Sequence, residues 1–213
     1  IRRAMDDGIP ILDPHFWIKA TISDLEKIFK SETETPISLI DQRLQTMREA
    51  SNFLISNYNG SAYDMIASAH NSAVNLVNLI ADNLSRYNDR AEFHGRKVSF
   101  LKRGQIFAAD IHYGFIGDND AVCHFNDIDK LTMFADYRVP QVLQYLNILQ
   151  FSDELIEIIR KNPHLESGSE IECEIRGCSI AAVEKLKKYL KSNANSVLID
   201  YCLWDYAKEN EEK

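Results

Sequence analysis

Residues 134–141 read Phe134-Ala135-Asp136-Tyr137-Arg138-Val139-Pro140-Gln141. Leu131 and Met133 precede this run, and Val142, Leu143 and Leu146 follow it. Asp136 is therefore expected at the edge of an apolar core. Pro140 suits the first turn of a helix carrying Val142, Leu143, Leu146 and Leu149, because that turn needs no N–H donor and matches the fixed φ of proline. Asp136 then stands just before a helix start, where the partial positive charge stabilises a carboxylate. A carboxylate in a half-apolar setting suits chemistry that passes through a cation. A helix cap with a local ion pair is the plain structural alternative.

On both sides of this run the apolar spacing is mostly helical. Residues 1–8 read as a last helical turn stopped by Gly8. Ser23 and Glu26 form a capping-box pattern. Pro36 is expected to begin a longer helix with Ile37, Ile40, Leu44, Met47, Phe53 and Leu54 on its inner face. Further helices are expected over 61–69, after a cap at Asn71 or Ser72, over 99–114, over 127–134, after Ser152, over 179–191 and over 196–206. Residues 88–98 are polar, contain Gly95 and read as a turn or short hairpin. Glu170 to Arg176 alternates, which fits a short strand or the lead-in to a helix. The fold class is all-α, mainly α, with at most one short strand or hairpin. Lys208 to Lys213 reads as a frayed tail.

With 213 residues and 45% hydrophobic content, the chain can bury a real core as one large domain or a compact pair of subdomains. The net charge of −8 argues against a protein that coats duplex nucleic acid, since phosphate binding needs a basic surface. Cys123, Cys173, Cys178 and Cys202 show no metal spacing, and a reduced, cytoplasmic setting is expected. No apolar run approaches membrane-spanning length. The six histidines show no ligand spacing, so no metal is expected.

Three further clusters carry polar chemistry. Asp200 and Trp204 are four apart and share a helical face, with Tyr201 and Asp205 on the adjoining one. Carboxylates beside aromatics suit a flat base with N–H donors; an aromatic core helix with exposed acids is the alternative. Lys102 and Arg103 follow His94-Gly95-Arg96-Lys97 at a helix start, where amides and cations together suit a phosphate. A solvated basic face is the usual meaning of such a run. Glu172, Glu174 and Arg176 read as a structural ion-pair network.

Two resemblances bear on this chain. Asp136-x-x-Val139-x-x-Val142-Leu143 is similar to the segment after the hairpin in helix-hairpin-helix DNA glycosylases. The wider set covers most of the chain: residues 4–11 (Ala4-Met5-Asp6-Asp7-Gly8-Ile9-Pro10-Ile11), Phe100-x-Lys102-Arg103-x-Gln105-Ile106, Leu131-Thr132-x-Phe134 through Gln141, Glu174-Ile175-Arg176, and Ile199-Asp200-x-x-Leu203-Trp204. Together these resemble the queuosine salvage family, the queuosine 5′-phosphate N-glycosylase/hydrolases. The resemblance implies a DNA-glycosylase-like helical fold, with residues 1–213 as a single catalytic domain and a further segment upstream of Ile1. Gly104 stands where alanine is expected.

The implied activity is hydrolysis of the N-glycosidic bond of queuosine 5′-monophosphate, a small-molecule substrate, releasing queuine for tRNA. A DNA base glycosylase and a non-catalytic binding module for queuine or a modified nucleotide are the alternatives. Asp136 is the expected catalytic residue. Asp200 or Asp205 suits the guanine-like edge of the base, and Phe134, Trp204 or Tyr206 its faces. Lys102 is the first choice for the 5′-phosphate, with Arg103, Arg138 and Arg176 as alternatives. No cofactor, nucleic-acid partner or membrane is expected.

Overall fold

The computed structural model describes residues 1–190 and 192–210. These divide into two units, one of residues 1–70 with 83–86, the other of residues 71–82 with the chain from 87 onward.

The first unit begins with α1 (Arg2–Asp6), which stops at Gly8 with φ +72°. Asp13 caps α2 (Pro14–Lys19) by accepting the His15 amide. α3 (Ile22–Ile28) opens on a capping box, formed by Thr21 and Asp24 and not by Ser23 and Glu26. The same motif lies two residues earlier than expected because Leu25 and Ile28 must face inward, where both are fully buried. α4 (Ile40–Tyr58) starts four residues after Pro36, entered through Leu39 at φ +58°. Ser61 caps α5 (Ala62–Ala67). The core here gathers Ala4, Ile11, Trp17, Leu25, Ile28 and Leu44, with Trp17 Nε1 donating to the Ile11 carbonyl at 2.8 Å.

The second unit carries the residues of chemical interest. α6 (Ala73–Asn83) is capped from a distance: Asp127 accepts the Ala73 amide at 2.6 Å and the Ser72 hydroxyl at 2.7 Å. Strands β1 (Arg90–Phe93) and β2 (Arg96–Ser99) pair antiparallel, Arg90 opposite Ser99 and Phe93 opposite Arg96. His94 and Gly95, at φ +48° and +73°, make the two-residue turn that twisted hairpins favour. Because Ser99 is held in the sheet, α7 (Lys102–Gly114) begins three residues later than the helical period suggests. A Cβ at Gly104 would stand 3.2 Å from Val77 Cγ1, so glycine lets α7 and α6 approach closely.

α8 (Val139–Tyr145) carries Pro140 in its first turn, and Ser152 caps α9 (Asp153–Lys161), both as expected. α10 (Glu170–Tyr189) is one continuous helix capped by Ser169, so the alternating run 170–176 is helical. α11 (Ser196–Glu209) is capped by Asn195 and extends past Lys208; residues 211–213 of the expected tail lie outside the described residues. Met133, Val139, Val142, Leu143, Val183, Ile199 and Leu203 form the core among α8, α10 and α11. Among the described residues the fold is mainly α with one short hairpin.

Residues 127–134 depart from the expected helix. Only a 3₁₀ turn at Ile128–Lys130 forms, and 131–136 follow as a strap without regular secondary structure. Side chains replace the helical ladder. Thr132 N donates to Gln105 Oε1 at 2.8 Å, Phe134 N to Asp200 Oδ1 at 2.9 Å, and the Ala135 carbonyl accepts Arg176 Nε at 2.9 Å. All three partners are buried. Bonds of this type, two of them to ionisable groups, contribute about 1–3 kcal/mol each.

Candidate active site

The irregular strap 131–136 delivers Asp136 to the start of α8. Its Oδ1 accepts the amides of Arg138 at 2.8 Å and Val139 at 3.0 Å, so the carboxylate does cap the helix start. Its Oδ2 faces the Lys102 ammonium at 3.7 Å, and the Asp136 side chain is only 10% exposed. Capping and chemistry are thus compatible here: one oxygen is fixed by backbone amides, and the other meets a cation.

Asp200 projects from α11 to the same strap and is 4% exposed. Burial pushes its carboxyl from the ordinary 3.8 up to about 7. The Phe134 amide opposes that rise, the Asp136 charge adds to it and Lys102 again opposes it. Asp200 is thus a carboxyl held toward neutrality within the field of a second carboxyl, Asp136.

Lys102 is the first residue of α7 and is presented by a strained turn, Leu101 lying at φ +48° in the left-handed region. Phe134 is buried, its ring edge-on to Tyr201 at 5.8 Å. The Tyr201 hydroxyl donates to Asp110 Oδ1 at 3.2 Å. Burial first, and then the Asp110 charge, raise the Tyr201 pKa and keep the phenol protonated.

The other expected residues lie as follows. Trp204 is half-buried on α11 with Lys208 Nζ 3.9 Å from its ring centroid. Asp205 is exposed. Tyr206 packs on the α8–α10–α11 core with its ring 6.4 Å from that of Tyr145. Arg138 contributes its backbone amide to Asp136. The structure therefore brings Lys102, Phe134, Asp136 and Asp200 together and leaves Asp205 on the surface.

Behind this group lies a network the sequence reveals only in part. Arg176, 8% exposed, chelates Asp89 through Nη1–Oδ1 at 2.9 Å and Nη2–Oδ2 at 2.5 Å. It also pairs with Glu172 one turn away at 3.1 Å and lies 4.0 Å over the Phe100 ring. Glu174 points outward, so the ion-pair network runs through Glu172 alone on this helix. Burial pushes the Asp89 carboxyl up, but Arg176 and the Lys102 amide outweigh it and hold it below its ordinary value. Asp89 has no local signal; it precedes a hairpin and acts on partners far along the chain. Among the described residues no group of three or more His, Cys, Asp or Glu is placed to hold a metal ion.

Residues 1–213 match the family model described as queuosine salvage protein. This chain belongs to the queuosine salvage protein family. A mouse protein named queuosine 5′-phosphate N-glycosylase/hydrolase is 39% identical over 222 residues, covering 100% of this chain and 65% of its own length. The relatives of the same name from Schizosaccharomyces pombe and Sphaerobacter thermophilus are 36% and 35% identical. They cover 100% and 96% of this chain and 62% and 63% of their own lengths. The chain thus spans just under two thirds of the curated relatives it matches.

Proposed function

We propose that this chain carries the catalytic centre of a hydrolase that cleaves the N-glycosidic bond of queuosine 5′-monophosphate and releases queuine. Support comes from the relatives' shared name and from the pairing of Asp136 with Asp200 beside Lys102. Cleavage of a ribosyl bond passes through an oxocarbenium-like transition state. Asp136, fixed by two amides, is preorganised to stabilise positive charge at C1′ while water adds there. The leaving base has carbon at position 7 and cannot be protonated there, so its departure relies on hydrogen bonds elsewhere on the ring. Asp200 has Oδ1 tied to Phe134, and its Oδ2, when ionised, accepts from the N–H edge of the base. Its buried position favours it over Asp205. Lys102 holds Asp136 and draws the 5′-phosphate.

Mass-spectrometric product analysis tests this. Purified protein is incubated with queuosine 5′-monophosphate, queuosine and GMP in parallel. Queuine is expected from the monophosphate. Asp136→Asn is expected to retain the ligand and lose roughly 100-fold or more in kcat. An Asp136→Asn protein that hydrolyses as fast as the parent overturns the assignment, and ligand binding without turnover by the parent turns the reading into a binding module.

A further inference from the structure

The strongest arrangement outside the proposed chemistry is the pair of buried Arg176 with half-buried Asp89. It touches the backbone on both sides of the Lys102–Asp136 contact. On the α7 side, Asp89 Oδ2 accepts the Lys102 amide at 3.0 Å, and the Asp89 carbonyl accepts those of Phe100 at 3.0 Å and Leu101 at 3.3 Å. Three consecutive amides hang on this one residue, across the turn in which Leu101 is left-handed. A non-glycine residue in that region costs on the order of 1–3 kcal/mol and persists only where its surroundings enforce it. On the strap side, Arg176 Nε holds the carbonyl of Ala135, the residue before Asp136. The remaining guanidinium contacts go to Asp89 and Glu172, and its face to Phe100, which leaves it badly placed to receive a phosphate.

We infer that the Arg176–Asp89 pair is a positioning device that sets the separation of Lys102 from Asp136. A planar guanidinium is required, because only its fixed fork can chelate one carboxylate and hold a carbonyl in the same plane. Displacement of a reacting group by about 1 Å can lower a rate roughly 100-fold. The kinetic consequence rests on the hydrolase reading; the geometric one does not.

The test uses Asp89→Asn, which keeps the side-chain shape but loses the charge, and Glu172→Gln as its control. Glu172 binds the same guanidinium without touching Lys102 or Ala135. Four quantities are compared in the whole protein: the carbon-13 titration midpoint of the Asp200 carboxyl without ligand, kcat and KM for queuosine 5′-monophosphate, and the thermal midpoint. In Asp89→Asn the Asp200 midpoint is expected to rise measurably, because Lys102, a cation that lowers it, moves away. The kcat is expected to fall roughly 10- to 100-fold with little change in KM. Glu172→Gln is expected to change neither, even where its thermal midpoint drops as far. Arg176→Lys should behave as Asp89→Asn does, and it carries both readouts if Asp89→Asn fails to fold. An unmoved Asp200 midpoint in the folded variant overturns the inference, as does an equal effect from Glu172→Gln. If the parent protein does not hydrolyse the monophosphate, the hydrolase reading fails while the Asp200 titration still decides the positioning role.

Discussion

Asp200 shows how one buried carboxyl ties stability to pH. Its folded pKa of about 7 lies above the ordinary 3.8, so between those values the folded chain holds a proton that the unfolded chain has released. Stability from this group is therefore full below about pH 4, falls as pH rises through the window and levels off above about pH 7. The swing is on the order of 4 kcal/mol for a group this buried. Asparagine is neutral throughout and keeps an acceptor for the Phe134 amide. Asp200→Asn is thus expected to match the parent near pH 4 and to exceed it in stability at pH 8, by urea unfolding at each pH. Parallel stability curves for the two proteins would show that the carboxyl titrates normally.

The decisive element is the irregular strap 131–136. Its apolar residues Leu131, Met133 and Phe134 fit a helical face as well as an extended run, so local pattern does not choose between them. The choice is made by Gln105, Asp200 and Arg176, which lie 27, 66 and 41 positions away in sequence. Gln105 Nε2 also binds the Phe100 carbonyl and the Thr132 hydroxyl, so this side chain ties the start of α7 to the strap. Gln105→Leu preserves bulk but leaves the Thr132 amide without its acceptor. The expected loss is about 1–3 kcal/mol in unfolding free energy, with faster amide exchange at Thr132 than at α10 amides as the local sign. Unchanged exchange at Thr132 would show that the strap holds without Gln105.

At the scale of the whole molecule, the parts legible in the sequence were those written locally: the helical period, Pro140 and Ser152 at helix starts, the turn at Gly95, and Asp136 before α8. Apart from the local capping box at Thr21 and Asp24, what escaped was written across distance. Asp89 meets Arg176 across 87 positions, and no spacing rule joins an aspartate before a hairpin to an arginine inside a late helix. Charge is the remaining global property, and it separates two kinds of phosphate ligand. A net charge of −8 opposes a polyanion over the entire surface, whereas one phosphate needs only a local cation such as Lys102. Duplex binding by neutralising many phosphates makes log affinity fall with log salt at a slope of about −0.9 per phosphate. On the proposed hydrolase reading, a single phosphate contact therefore predicts a shallow salt dependence of kcat/KM for queuosine 5′-monophosphate, with a slope of about −1 or less. A gel shift with duplex DNA is expected to show no complex at about 10 μM protein and physiological salt, within the range where non-specific binders associate. A retarded band with a steep salt slope would instead place a basic stripe on this acidic chain and return DNA to consideration as its substrate.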